Sequence, residues 1–305
     1  MIVRPRPKAW ELPFIIRQSI LPRVAPQIIA VALFSCVVIW IERRFPAPFH
    51  TWTVAPFTLL GTALSIFLGF RNNSCYDRWW EARRQLGALM GETRSFARTL
   101  LTLPSLSSIP VDQARRQRAI RGLIAYTYAL MAFLRGIPIP AQVARYGAEP
   151  APGLRSIPDA ILRTIAAEYG AMLAASEIDT QIYRDLDDRL LAVTAIQASC
   201  ERIRSTPTPF AYTLILHRTA YVFCFLLPFS LVTTLGYATP FFCAAVAYAF
   251  FGLDALGDEM EEPFGTHINA LPLDALARII EISLLEALGE TTLPDPIAPV
   301  NFVLT

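Results

Sequence analysis

The sequence predicts an all-α membrane protein, with four membrane-spanning helices per chain and a helical domain outside the bilayer. Three observations carry that prediction. Hydrophobic residues fill 54% of 305 positions and charged residues only 17%, where an ordinary soluble domain carries about 25% charge. The apolar residues gather into runs free of Asp, Glu, Lys and Arg, at residues 24–41, 45–70 and 219–253. Period-two alternation, the mark of half-buried strands, is absent.

A membrane-spanning helix needs roughly 20 apolar residues, so the first two runs are one span each. The third is too long for one span and slightly short for two. It contains Thr233-Thr234-Leu235-Gly236-Tyr237-Ala238-Thr239-Pro240, a turn sequence. Splitting it there, and extending its upstream half to about Pro209, gives two more spans and puts Arg218 at or inside the membrane boundary. The first run starts too late, is too long and lacks the small-residue cleavage site of a signal peptide. Lys and Arg beside the spans set the orientation. Arg4, Arg6, Lys8, Arg17 and Arg23 precede the first span, and Arg71, Arg78, Arg83 and Arg84 follow the second. The first loop has only Arg43 and Arg44, and the last has none. Both termini and the long middle segment therefore read as cytoplasmic.

Within that middle segment, residues 122–134 are charge-free but too short to span, and read as a buried core helix. Leu186, Leu190, Val193, Cys200 and Ile203 keep one helix face apolar. Proline-rich punctuation at residues 103–110 and 136–153 separates the helices. Residues 289–305, with Pro294, Pro296 and Pro299, read as an extended tail, placed across a neighbouring subunit. The expected organisation is residues 1–71 for the N-terminal segment and first hairpin, 72–208 for the cytosolic helical domain, 209–256 for the second hairpin, and 257–305 for a cytosolic helix and tail.

Several functions are argued against. A net charge of +2 gives no basic field for nucleic acid. Cys36, Cys75, Cys200, Cys224 and Cys243 form no CxxC pair, and His50, His217 and His267 are not spaced as metal ligands. No nucleophile–base set, metal cluster or cofactor loop marks an enzyme, so no cofactor is expected. No internal repeat supports an alternating-access transporter.

The second span carries two stripes. Thr62, Ile66 and Phe70 recur every four residues on one face, with Gly61, Ser65 and Gly69 on an adjoining one. One reading is packing against lipid or core. The other is that several copies surround an axis and form apolar rings that gate by dewetting. Asp254, Asp258 and Glu262 also recur every four residues. They either pair with cytoplasmic arginines or line a vestibule that attracts cations. His217-Arg218 is either a functional polar pair or an anchor to cytosolic carboxylates, and Trp79-Trp80 fits the interface or the core.

The run SIFLGFRNNSCYDRWWEAR at residues 65–83 resembles the signature of the bestrophin family. Cys200-Glu201-Arg202-Ile203, the stretch from Thr206 to Thr213, His217-Arg218 and Glu262-Pro263-Phe264-Gly265 are similar too. The resemblance implies a homopentameric ion channel, so the partners would be four further copies of the chain, monovalent ions and the bilayer of a bacterial inner membrane. It implies a pore neck at Thr62, Ile66 and Phe70, with threonine where the family is usually apolar. A second constriction, at the cytosolic exit, falls near Gln181, with Ile178 and Ile182 as apolar alternatives and simple solvent exposure of Gln181 as the competing reading. Likeness to bacterial members points to cations, sodium first, with chloride as the alternative. Animal members bind calcium through an acidic run after Pro-Phe-Gly. Here the stretch from Gly265 offers one carboxylate, Asp274, too few for such a site.

Overall fold

The computed structural model describes residues 1–5, 8, 10–11, 15–16, 18–47, 49, 53–102, 112–148 and 153–305. Arg6, Arg17, His50 and the proline punctuation at 103–110 lie outside the described residues, as do 149–152 of the second punctuated stretch. The helices are α1 (Leu21–Arg44), α2 (Val54–Thr102), α3 (Gln113–Arg135), α4 (Ala141–Arg145), α5 (Ile157–Ala174), α6 (Thr180–Ser205), α7 (Phe210–Leu235), α8 (Thr239–Glu261) and α9 (Leu273–Ala287). No strand longer than an isolated bridge occurs among the described residues.

The chain divides into two compact units. One holds residues 4–79 and 207–263, and the other residues 1–3, 80–206 and 264–305. The expected boundary after residue 71 falls inside α2, which runs 49 residues without a break. The boundary at 208 falls in the gap between α6 and α7, and that at 256 inside α8.

In the first unit α1, α2, α7 and α8 pack around Val24, Val31, Leu64, Leu68, Phe223, Cys224, Phe250 and Phe251. Small residues permit the close approach of apolar helices. At Gly61 a Cβ would stand 3.0 Å from the Phe223 ring, so the ring of α7 packs directly on the backbone of α2. Among the described residues, three stretches are long and apolar enough to cross a membrane: Leu21–Arg44, Val54–Thr102 and Phe210–Glu261. The last is broken where the sequence reading splits it. Gly236 ends α7 with φ 52°, a left-handed conformation that costs glycine little. A short 3₁₀ turn, Gly236–Ala238, leads into α8 with Pro240 in its first turn.

In the second unit α3 is the buried centre, with Leu123, Ile124, Tyr126 and Leu130 at or near zero exposure. Asp112 caps its start by accepting from the Ala114 N–H, and Gly136 ends it at φ 68°. Ile161 and Ile165 of α5 and Leu186, Leu190, Val193, Cys200 and Ile203 of α6 are all buried, as the apolar face of α6 predicts. The tail is extended, but its end lies on its own chain. The Leu304 N–H donates to the Met1 carbonyl (2.9 Å), the Val3 N–H to Phe302 (2.8 Å) and the Ala275 N–H to Thr305 (2.9 Å). Backbone groups of residues 1–3 thus hold the last residues of the tail.

Candidate functional site

An α-helix turns about 100° per residue, and α2 divides by that geometry into opposite faces. Leu64, Leu68, Arg71 and Cys75 are buried within the chain. Thr62, Ile66 and Phe70 lie on the far side, all exposed, Ile66 at 52% and Phe70 at 60%. The Thr62 hydroxyl donates to the Thr58 carbonyl (2.8 Å) and that of Ser65 to Gly61 (2.8 Å). Both hydroxyls are thereby turned back on the helix, leaving lone pairs and, at Thr62, a methyl on the open side. Gly69 has nothing within 4 Å of a built Cβ. Of the three membrane-length stretches, α2 is the least covered by its own chain. The three proposed neck residues therefore share one open face.

Directly below that face the chain is tied together by charge. The Arg71 guanidinium, 1% exposed, donates to Asp254 (2.7 Å) and Asp258 (2.5 Å), and lies 3.6 Å from Glu261. Arg23 reaches Asp258 (3.2 Å) and Glu259 (3.3 Å). The His217 ring nitrogen Nδ1 lies 2.6 Å from Asp254. Gly257 makes room for this cluster, since a Cβ there would meet Asn72 Oδ1 at 2.6 Å and Arg71 Nη1 at 3.2 Å. A buried guanidinium is tolerated because its charge is paired and both terminal nitrogens donate to carboxylates, although Nε–H has no partner among the described residues.

The three acidic candidates differ in their surroundings. Asp254 is buried on Arg71 and His217, so it is a tie between α2, α7 and α8 rather than an exposed lining residue. Asp258 is partly exposed but is also held by Arg71 and Arg23. Glu262 is exposed and lies past the end of α8, at φ −110° and ψ 70°. Pro263 follows it and disfavours the helical conformation in the residue before, so the three carboxylates do not share one helix face. His217 takes the anchoring role. Trp79 is half-buried and stacks on Tyr76 (6.5 Å), and the Arg83 guanidinium stands over the Trp80 ring (5.2 Å).

Gln181 stands exposed in the first turn of α6, 3.4 Å from Asp185. Its apolar alternatives, Ile178 and Ile182, are 4% and 7% exposed. Asp179 caps α6 on the Ile182 N–H (2.8 Å), which turns both isoleucines into the core and leaves Gln181 outward. Of the three, Gln181 is the one exposed on its own chain.

Sequence reading passed over Asp77. It lies seven residues beyond Phe70, within about 20° of it around the helix. It is exposed, and among the described residues no partner holds its carboxylate. The spacing was legible, but the residue was hidden inside a family motif. Among the described residues no three His, Cys, Asp or Glu side chains are grouped to hold a metal.

Fold and site define a class: an all-helical membrane protein with one face of α2 left exposed by its own chain. Residues 1–286 match the family model described as bacterial/fungal bestrophin protein. The chain is 45% identical over 293 residues to a voltage-dependent anion channel-forming protein of Mesorhizobium japonicum, covering 95% of this chain and 93% of that one. It is 40% identical to the voltage-dependent anion channel-forming protein YneE of Escherichia coli, covering 98% of each. A solved bacterial bestrophin homologue from Klebsiella pneumoniae superposes with a TM-score of 0.81 at 34% identity, covering 88% of this chain and all of that one. The chain belongs to the bestrophin family of ion channels.

Proposed function

We propose that five copies of this chain form a channel for small monovalent ions, with α2 innermost. The observation that carries this is the outward face of α2, where two large apolar side chains stand more than half exposed opposite a buried stripe. One chain has too few spans to enclose a pore. Copies arranged about an axis would turn Thr62, Ile66 and Phe70 into stacked rings, and Gln181 into a ring at the cytosolic exit.

The pairing of residues 1–3 with 302–304 supports four spans. Two ends that touch lie on one side of the membrane, so the crossings are even in number. Three apolar stretches satisfy that when Phe210–Glu261, broken at Gly236–Ala238, crosses twice. The arginine distribution supports a cytoplasmic location for that side, and likeness to bacterial relatives supports a bacterial inner membrane.

For charge, the relatives named as anion channel-forming favour monovalent anions, chloride first. The acidic lining that argued for cations is reduced, because Asp254 is buried and both it and Asp258 are paired with arginine. Cations are the second reading, favoured by the carboxylate of Asp77, which has no ion-pair partner among the described residues. Reversal potential across a bilayer in asymmetric NaCl decides between them. Light scattering of the detergent-solubilised protein tests the assembly, and a protein mass of one or two chains would overturn it.

A further inference from the structure

We infer that Asp77 shifts the charge preference of this pore toward cations, as a ring of carboxylates that lowers anion permeability just beyond the neck. The inference rests on the pore reading above and adds to it the residue that acts on the ion's charge. Thr62, Ile66, Phe70, Asn73 and Asp77 fall at intervals of four, four, three and four residues. They occupy one sector of α2 about 80° wide, opposite Leu64, Leu68, Arg71 and Cys75. All five are exposed. Along the helix Asp77 is about 10 Å beyond Phe70. It is the first ionisable group on that face after the apolar rings.

Its neighbours make the charge effective. Arg71 is buried against Asp254 and Asp258. The Arg78 Nε donates to the Glu261 carbonyl (2.7 Å). Arg83 stands over Trp80, and Arg84 is bridged to Glu81. The four arginines that follow the second span are thus each engaged within the chain, whereas Asp77 has no ion-pair partner among the described residues. Asn73, one turn nearer the neck, is also exposed and unbonded among the described residues, and its amide is neutral. An ion leaving an apolar constriction regains its hydration shell at the first polar groups it meets. Five uncompensated carboxylates at that point lower the energy of a cation there and raise that of an anion.

The test is a planar-bilayer measurement on purified full-length channel under a NaCl gradient. Asp77→Asn removes the charge and keeps the shape at an exposed position. It should raise chloride permeability relative to sodium by roughly fivefold to tenfold at 0.1 M salt. The change should shrink at 1 M, where the screening length has fallen from about 10 Å to about 3 Å. Asp77→Glu should keep the wild-type ratio, and Asp77→Lys should push it further toward chloride. These directions hold whichever ion the wild-type channel prefers. If Ile66→Ala and Phe70→Ala alter conductance while Asp77→Asn leaves the ratio unchanged in a folded assembly, the charge assignment is overturned and the pore reading stands. If neither the neck variants nor Asp77→Asn changes the current, both are overturned.

Discussion

Arg71 and Asp254 are 183 residues apart in sequence and 2.7 Å apart in space, with side chains 1% and 5% exposed. The pair fixes the rotation of α2 against α8, and Arg71 follows Phe70 directly. The buried charge that ties the bundle together and the apolar ring residue on its open face are therefore held by the same turn of helix.

Removing one partner of a buried ion pair strands the other. Arg71→Leu should cost about 3–5 kcal/mol, because Asp254 keeps its charge without the guanidinium. Arg71→Leu combined with Asp254→Leu should recover part of that loss. Thermal melts of the detergent-solubilised protein measure both. A double variant no more stable than Arg71→Leu alone would show that the loss is not the stranded carboxylate.

A second buried carboxylate predicts a pH limit. Glu281 of α9 accepts from the hydroxyls of Tyr128 (2.7 Å) and Tyr146 (2.5 Å) and lies 2.8 Å from Arg278. Burial, and then the adjacent carboxylate, push the Tyr128 phenol up to about 12, and Tyr146 is raised by the same causes. An unfolded tyrosine releases its proton near pH 10, while the folded protein still holds these two. The stability they contribute is present below pH 10 and is lost as pH rises toward 12. Melting temperature should fall across that window. In Tyr128→Phe it should start lower at pH 8 and fall less steeply, and a slope equal to wild type would refute the assignment.

Much of the fold was legible because helix periodicity reports burial directly. The break at Gly236, the buried stretch in α3 and the apolar face of α6 all follow from residue spacing. Periodicity names a face without naming what it touches, and the rest was lost there. Asp254, Asp258 and Glu262 have helical spacing, yet Arg71 claims two of them and Pro263 removes the third from the helix. Ile178 and Ile182 read as exit candidates because they are apolar, and they are buried for that same reason. The last residues of the tail pair with residues 1–3, almost the whole chain away in sequence, which spacing cannot report.

Calcium should leave the current unchanged. The stretch from Gly265 to Asp274, where the acidic run would lie, holds one carboxylate, Asp274, and it lies 2.6 Å from the Arg135 guanidinium. A calcium site takes six to eight oxygen ligands and several carboxylates. Currents recorded with a chelator, and then with micromolar calcium, should superimpose. A steep calcium dependence would mean that other residues, or other copies of the chain, build a site.

The neck makes the sharpest demand on the structure. Ile66 and Phe70 stand one turn apart, about 5.4 Å along the axis, on the face that the chain leaves open. Rings of such side chains offer nothing to replace an ion's hydration shell, so they hold ions out by dewetting. Ile66→Ala or Phe70→Ala should widen and wet the path and raise conductance or open probability, with little loss of stability. Thr62→Ile should lower the current, since it replaces a back-bonded hydroxyl with more apolar bulk. Leu64 and Leu68, on the opposite face and at most 2% exposed, are the controls. Their replacement by Ala should cost about 2–5 kcal/mol and give no gain of current. If Ile66→Ala and Phe70→Ala instead behave like the leucine variants, destabilising the protein without opening it, the exposed face of α2 is a packing surface and the pore lies elsewhere.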